Sequence, residues 1–177
     1  GYHPEYFAVG RTGGPHERQF CYTNQAFIKQ VAKDARDYFD GQPLKGEQIA
    51  LGDYFAVVPL DNANWCQCEE CSRQLAIDKD NIRGEHFNCG TATHYLWTFI
   101  NNVAKEVKKT HPGKKIAALA YHVYAYLPED IELEDNISVA PCLHPRNYWA
   151  PKMKENEADF YKDWIEESRK SHRPVYL

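Results

Sequence analysis

The 177-residue chain is 43% hydrophobic, 26% charged and 14% aromatic, a globular composition that excludes disordered, collagen-like and disulfide-built miniprotein classes. Lys plus Arg number 21 against 25 Asp plus Glu, a formal net charge of −4, so the basic excess that a phosphate backbone demands is missing and nucleic acid is not an expected partner. No run of about 18 apolar residues occurs, so no membrane span is expected.

The N-terminus Gly1-Tyr2-His3-Pro4 carries neither a charged leader nor an apolar signal core, and the single Met is Met153, so the chain reads as a processed product or an excerpt of a longer one. Charges are mixed throughout and no repeat or linker stands out. Residues 1–177 therefore read as one domain, or part of one.

In chain order, Tyr6-Phe7-Ala8-Val9 reads as a short buried strand ending at Gly10. Thr23 then opens a helix with Phe27, Ile28, Val31, Ala35, Tyr38 and Phe39 in phase, stopped at Gly41. Tyr54 to Leu60 is β-branched and aromatic without alternation, as in a strand covered on both faces, and it ends at Asp61-Asn62. After a cysteine-bearing loop, Thr91 is the expected cap of a helix with Leu96, Phe99, Ile100, Val103 and Val107 on one face, stopped by His111-Pro112-Gly113. Ile116 to Tyr121 and Ile137 to Cys142 read as two further strands. Asn156 is the expected cap of a helix carrying Ala158, Tyr161, Trp164 and Ile165, and Pro174 to Leu177 reads as a fifth strand.

This order, β-α-β-α-β-β-α-β, predicts an α/β fold with five parallel strands flanked by helices. A doubly wound sheet would announce a phosphate turn, but Gly10-Arg11-Thr12-Gly13-Gly14 lacks the dinucleotide fingerprint. Long polar and aromatic loops after the strands favour a partial (β/α)8 TIM-like barrel, excerpted from a larger one. A complete small open sheet is the alternative.

In either architecture chemistry gathers at the carboxyl ends of parallel strands. Those positions nominate Arg11, then Asp61, Asn62 and Trp65, then Tyr121, His122 and Tyr124, then His144 and Arg146. Such a mixture suits a carbohydrate, with rings stacking on sugar faces, Asp and Asn taking hydroxyls, and Arg pairing an acidic substituent. Asp61 and His122 are the candidate catalytic residues and the others candidate substrate contacts. Glycoside hydrolysis requires two carboxyl groups, and only Asp61 is well placed. The expected partner is an acidic or amino-sugar oligo- or polysaccharide, with no catalytic cofactor. Glycan binding without cleavage is the alternative.

A second motif is Trp65-Cys66-Gln67-Cys68-Glu69-Glu70-Cys71. Its C-x-C-x2-C spacing wraps a tetrahedral metal such as a structural zinc, with Cys89, His86 or His94 as candidate fourth ligand, Cys89 foremost. Disulfides, for instance to Cys89, compete with this reading. A zinc-stabilised interaction scaffold is the corresponding third functional reading.

His3-Pro4-Glu5-Tyr6-Phe7-Ala8, Cys21-Tyr22-Thr23-Asn24, Asp61-Asn62 followed by Trp65-Cys66-Gln67-Cys68 and Cys71, and Ala120-Tyr121 together resemble the domain-of-unknown-function 4838 family (DUF4838). The resemblance runs through most of the chain. It implies large secreted, periplasmic or surface proteins of polysaccharide-utilising bacteria, and a (β/α)8 barrel related to family 20 hexosaminidases and family 67 α-glucuronidases. It places Asp61, Asn62, Tyr121 and His122 in the active-site loops, with the remainder of a parent polypeptide completing the barrel. No catalytic Asp-Glu or Glu-Asp pair of the hexosaminidase kind follows the second strand.

Overall fold

The computed structural model describes residues 3–10, 19–82 and 87–176. They form a mixed α/β unit around a four-stranded, mostly parallel open sheet in the order β1-β2-β3-β4. β1 (Ala50–Leu51) and β2 (Tyr54–Ala56) form an antiparallel hairpin across Gly52, whose φ of 56° suits a residue without Cβ. β2 then pairs parallel with β3 (Lys115–Ala120), and β3 parallel with β4 (Ile137–Pro141).

The expected five parallel strands are not seen among the described residues. Tyr6 to Val9 does not join the sheet: Pro4 opens a 3-10 turn over Pro4–Tyr6, and Phe7 makes only an antiparallel bridge with Phe20. At the other end Val175 lies parallel to β4 but through a single bridge to Val139. The Tyr54 to Leu60 run leaves the ladder early. Val57 still donates its N–H to the Ala117 carbonyl at 2.8 Å, but Pro59 has no N–H to continue the ladder.

α1 (Gln25–Phe39) starts where Asn24 accepts the N–H groups of Ala26 and Phe27 on its side-chain oxygen, and it ends against Gly41 at φ 86°. α3 (Thr93–Lys108) starts two residues after the expected cap: Thr91 Oγ1 lies 3.5 Å from Cys89 Sγ, and the carboxylate of Asp78 caps the first turn by accepting the His94 N–H. The stripe from Leu96 to Val107 is almost wholly buried, each Leu or Ile contributing about 1.5–3 kcal/mol by leaving water. α1 packs on α3 through stacked Phe27 and Phe99 rings 5.7 Å apart, and Arg36 donates to the Glu106 carbonyl at 3.2 Å.

α4 (Pro151–Ser171) begins a turn before the expected Asn156 cap, because Pro151 supplies a first helical residue that needs no N–H partner. Asn156 is instead buried in its second turn, beside a fully buried Glu157. Trp164 of α4 meets Trp97 of α3 with ring centroids 4.8 Å apart, and their indole N–H groups donate to the carbonyls of Ala125 and Tyr124. After α4, buried Arg173 pairs with Glu167 and donates to the Glu134 and Ile137 carbonyls, fastening the helix to the start of β4.

Candidate functional site

The carboxyl ends of β2, β3 and β4 open on one side, and the loops that follow them carry the site. Beyond β2, the chain turns at Leu60–Asn62 and leaves Asp61 exposed. Gln19, wholly buried, is a strut beneath this turn: its amide donates to the carbonyls of Leu60 and of Asn62 at 2.7 Å, and its Oε1 accepts from the Tyr22 hydroxyl at 2.7 Å. Beyond β3, the Tyr121 hydroxyl donates to Asp61 Oδ1 at 3.2 Å. Partial burial and the Asp61 charge both hold the Tyr121 phenol above its ordinary pKa, so it stays a donor. A cavity of about 190 Å³ lies here, lined by Asp61, Asn62, Trp65, Tyr121, His122 and Tyr124. Five of these residues are at least partly accessible, whereas Tyr124 is 3% exposed and serves as the cavity wall.

His122 has φ 51°, a left-handed conformation that a non-glycine residue adopts at some cost. It is held there from both sides: its N–H donates to Asn88 Oδ1 at 2.9 Å, and its carbonyl accepts the Cys89 N–H at 2.8 Å. Phe87 packs among three rings of the mouth, Tyr121, His122 and His144, at centroid distances of 5.2, 4.7 and 4.9 Å.

Beyond β4, His144 contacts a carboxylate that the sequence reading did not single out. Glu157 accepts the His144 backbone N–H at 2.7 Å and its ring Nδ1–H at 2.7 Å, and it also accepts from the Asn88 amide at 3.0 Å. One buried Asn–Glu pair therefore fixes both histidines. Burial, and then a hydrogen bond to Glu157, push the neighbouring Tyr148 phenol up to about 12. Arg146 is exposed on the 3-10 turn Pro145–Asn147, and Arg11 and His86 lie outside the described residues.

The cysteine motif is next to this mouth. The Sγ atoms of Cys21, Cys66, Cys68 and Cys71 lie within 4.8 Å of one another, a cluster able to hold a metal ion. Its fourth sulfur is Cys21, which corrects the expectation of Cys89. The Cys89 sulfur faces Thr91 while its backbone supports His122, and the His94 ring pairs with Asp130 at 2.7 Å. All six cysteines are free. α2 (Glu69–Leu75), in a stretch expected to be loop, begins at Cys68, whose Sγ accepts the Cys71 N–H at 3.5 Å. Cys71 is pushed up to about 12, first by its contact with Cys21 and then by burial, while the same contact lowers Cys21.

A family model described as a domain of unknown function, DUF4838, matches residues 1–172. The chain belongs to the DUF4838 family. The match takes in both the mouth and the cysteine cluster. No curated protein matches the chain, and no solved structure matches it. No helix among the described residues is long and apolar enough to cross a membrane.

Proposed function

We propose that this DUF4838 domain is a glycoside-hydrolase-like, carbohydrate-active module, secreted or at the cell surface, whose strand-end mouth takes an acidic or amino-sugar glycan. The observation that carries the reading is an exposed carboxylate, Asp61, held by the Tyr121 hydroxyl on the rim of a cavity walled by Trp65, His122 and Tyr124. Aromatic faces and a fixed carboxylate are the pairing that sugar rings and their hydroxyls require. Asp61 acts as acid/base or as orienter of the sugar, Asn62 takes a hydroxyl, and Arg146 faces a carboxylate or sulfate substituent.

The sheet belongs in this reading to a (β/α)8-type barrel. Its parallel strands follow one another as β2-β3-β4 with no reversal of order, whereas a doubly wound sheet reverses at its switch point. Val58 is 46% exposed and Leu119 is half-buried, an apolar surface of the kind that lines a barrel interior. The cysteine cluster is structural here, holding zinc below the loop and taking no part in the chemistry.

His144 is the second proton carrier. A carboxylate on Nδ1–H orients an imidazole and stabilises its cation. The test is mass-spectrometric detection of sugars released from uronate-bearing and N-acetylhexosamine-bearing oligosaccharides by the protein and its Asp61→Ala variant. Release by the protein and loss in the variant is the expected result. Glu157, the other carboxylate of this region, is fully buried behind His144, which favours a second reading: recognition of the glycan without cleavage. Calorimetric binding with no product would select it.

A further inference from the structure

We propose that Cys21, Cys66, Cys68 and Cys71 are the four ligands of a closed zinc centre, and that this centre, through Tyr22 and the Gln19 strut, sets the position of the Asp61 turn. The metal half stands on the sulfur geometry alone. Only the consequence for Asp61 touches the carbohydrate reading.

Four sulfurs bound tetrahedrally at about 2.3 Å from zinc are separated from one another by about 3.8 Å. Cys21 Sγ lies 3.7 Å from Cys71 Sγ and 3.8 Å from Cys68 Sγ. A disulfide would need about 2.05 Å. Three of the sulfurs come from one tight turn and the fourth from a segment 45 residues earlier in the sequence, a cross-link between distant parts of the chain.

The surroundings of the sulfurs point the same way. Val9 N–H donates to Cys66 at 3.4 Å, the Tyr95 hydroxyl donates to Cys71 at 3.1 Å, and Thr23 Oγ1 is 3.2 Å from Cys71. The Tyr95 side chain, 1% exposed, spends its hydroxyl on sulfur. A neutral thiol is a weak acceptor, whereas metal-bound thiolates gather such donors as their outer support. Four soft ligands in tetrahedral array select zinc or iron over magnesium, calcium or manganese, and a site closed by four protein ligands leaves no open position for substrate. The assignment is a structural zinc.

Mechanical coupling to the mouth is short. Cys21 adjoins Tyr22, whose hydroxyl holds Gln19, whose amide holds the Leu60 and Asn62 carbonyls on either side of Asp61. From the other end Cys66 adjoins Trp65 in the cavity wall.

Elemental analysis of the protein purified under reducing, chelator-free conditions should give about one zinc per chain, with X-ray absorption reading four sulfurs at about 2.3 Å. Cys21→Ser should lower zinc affinity at least about 100-fold, and Cys89→Ser should leave it unchanged. Because cysteine variants can fail to fold, cobalt substitution of the unaltered protein is the second readout, with a tetrahedral thiolate-to-cobalt absorption expected. Hydrogen exchange on zinc removal should rise across residues 58–67 and not across β4. Iron in place of zinc, a Cys21–Cys71 disulfide by mass, no metal uptake after zinc addition, or full zinc in folded Cys21→Ser would each overturn the centre. Unchanged exchange at 58–67 after zinc loss would overturn the coupling. None of these measurements reads sugar release, so failure of the carbohydrate proposal is seen separately.

Discussion

The two flanks of the mouth are built on opposite principles. On the β2 side, the Asp61 turn rests on a sulfur cluster and a buried amide strut that reach it from the N-terminal segment. On the β4 side, His144 and His122 depend on one buried carboxylate and one buried amide, Glu157 and Asn88. The first flank spreads its support over many soft contacts between segments far apart in sequence. The second concentrates it in a single charge at full burial, where losing one partner strands the others without water.

Glu157→Ala breaks this contrast most severely. It leaves His144 N–H and His144 Nδ1 without their acceptor and the Asn88 amide with the Cys142 carbonyl alone, and should cost about 3–5 kcal/mol in urea unfolding. Gln19→Ala on the other flank removes one donor each from the Leu60 and Asn62 carbonyls, the first of which keeps the Asn62 N–H, and takes the acceptor from the buried Tyr22 hydroxyl, so about 1–3 kcal/mol is expected from the same measurement. If the two losses were equal, the contrast between concentrated and distributed support would fail. Asp61→Ala separates function from support: sugar release should fall by at least about 2 kcal/mol of transition-state stabilisation, while unfolding shifts by less than about 0.5 kcal/mol. A smaller loss than at either strut belongs to Asn24→Ala, next in line after the Cys21–Thr23 segment, where loss of the α1 cap should lower the unfolding free energy by about 1 kcal/mol.

The flanks also differ in how far a single sequence discloses them. The C-x-C-x2-C block is local, so three sulfurs and the idea of a metal could be read from spacing alone. Cys21 is isolated in sequence, and only folding brings it to the other three; Cys89 was a nearer but incorrect partner because proximity in sequence is not proximity in space. Asp61, Tyr121, His122 and His144 were legible as residues following apolar runs, since strand ends can be read from hydrophobic pattern. Glu157 left a fainter trace: it falls three and seven residues before Phe160 and Trp164, a charge on the buried stripe of an amphipathic helix. Treating Asn156 as a cap hid this, because it moved the helix start past Pro151.

Helical faces were the most transparent part, with the α3 stripe from Leu96 to Val107 buried as its periodicity required. Strand membership was less so. Aromatic runs such as Tyr6 to Val9 satisfy strand propensity equally well in a single bridge that packs Phe7 on Phe20, and propensity does not count ladder partners.

The tilted Trp97–Trp164 pair has an optical consequence. Both indoles are shielded from solvent and locked by carbonyl acceptors, Trp149 is 83% exposed, and Trp65 stands in the cavity wall beside the sulfurs. The protein thus carries its own set of fluorophores. Shielded emission from the pair reports docking of α4 on α3, Trp149 gives a solvent reference, and Trp65 responds to whatever enters the mouth or leaves the cysteines. Reducing the protein to Trp65 and Trp149, with phenylalanine at 97 and 164, would remove the core signal at the expense of the packing it reports. Replacing Trp149 alone by phenylalanine leaves the interior intact and removes the solvent-exposed contribution, so the remaining light comes from the core pair and from Trp65 in the mouth.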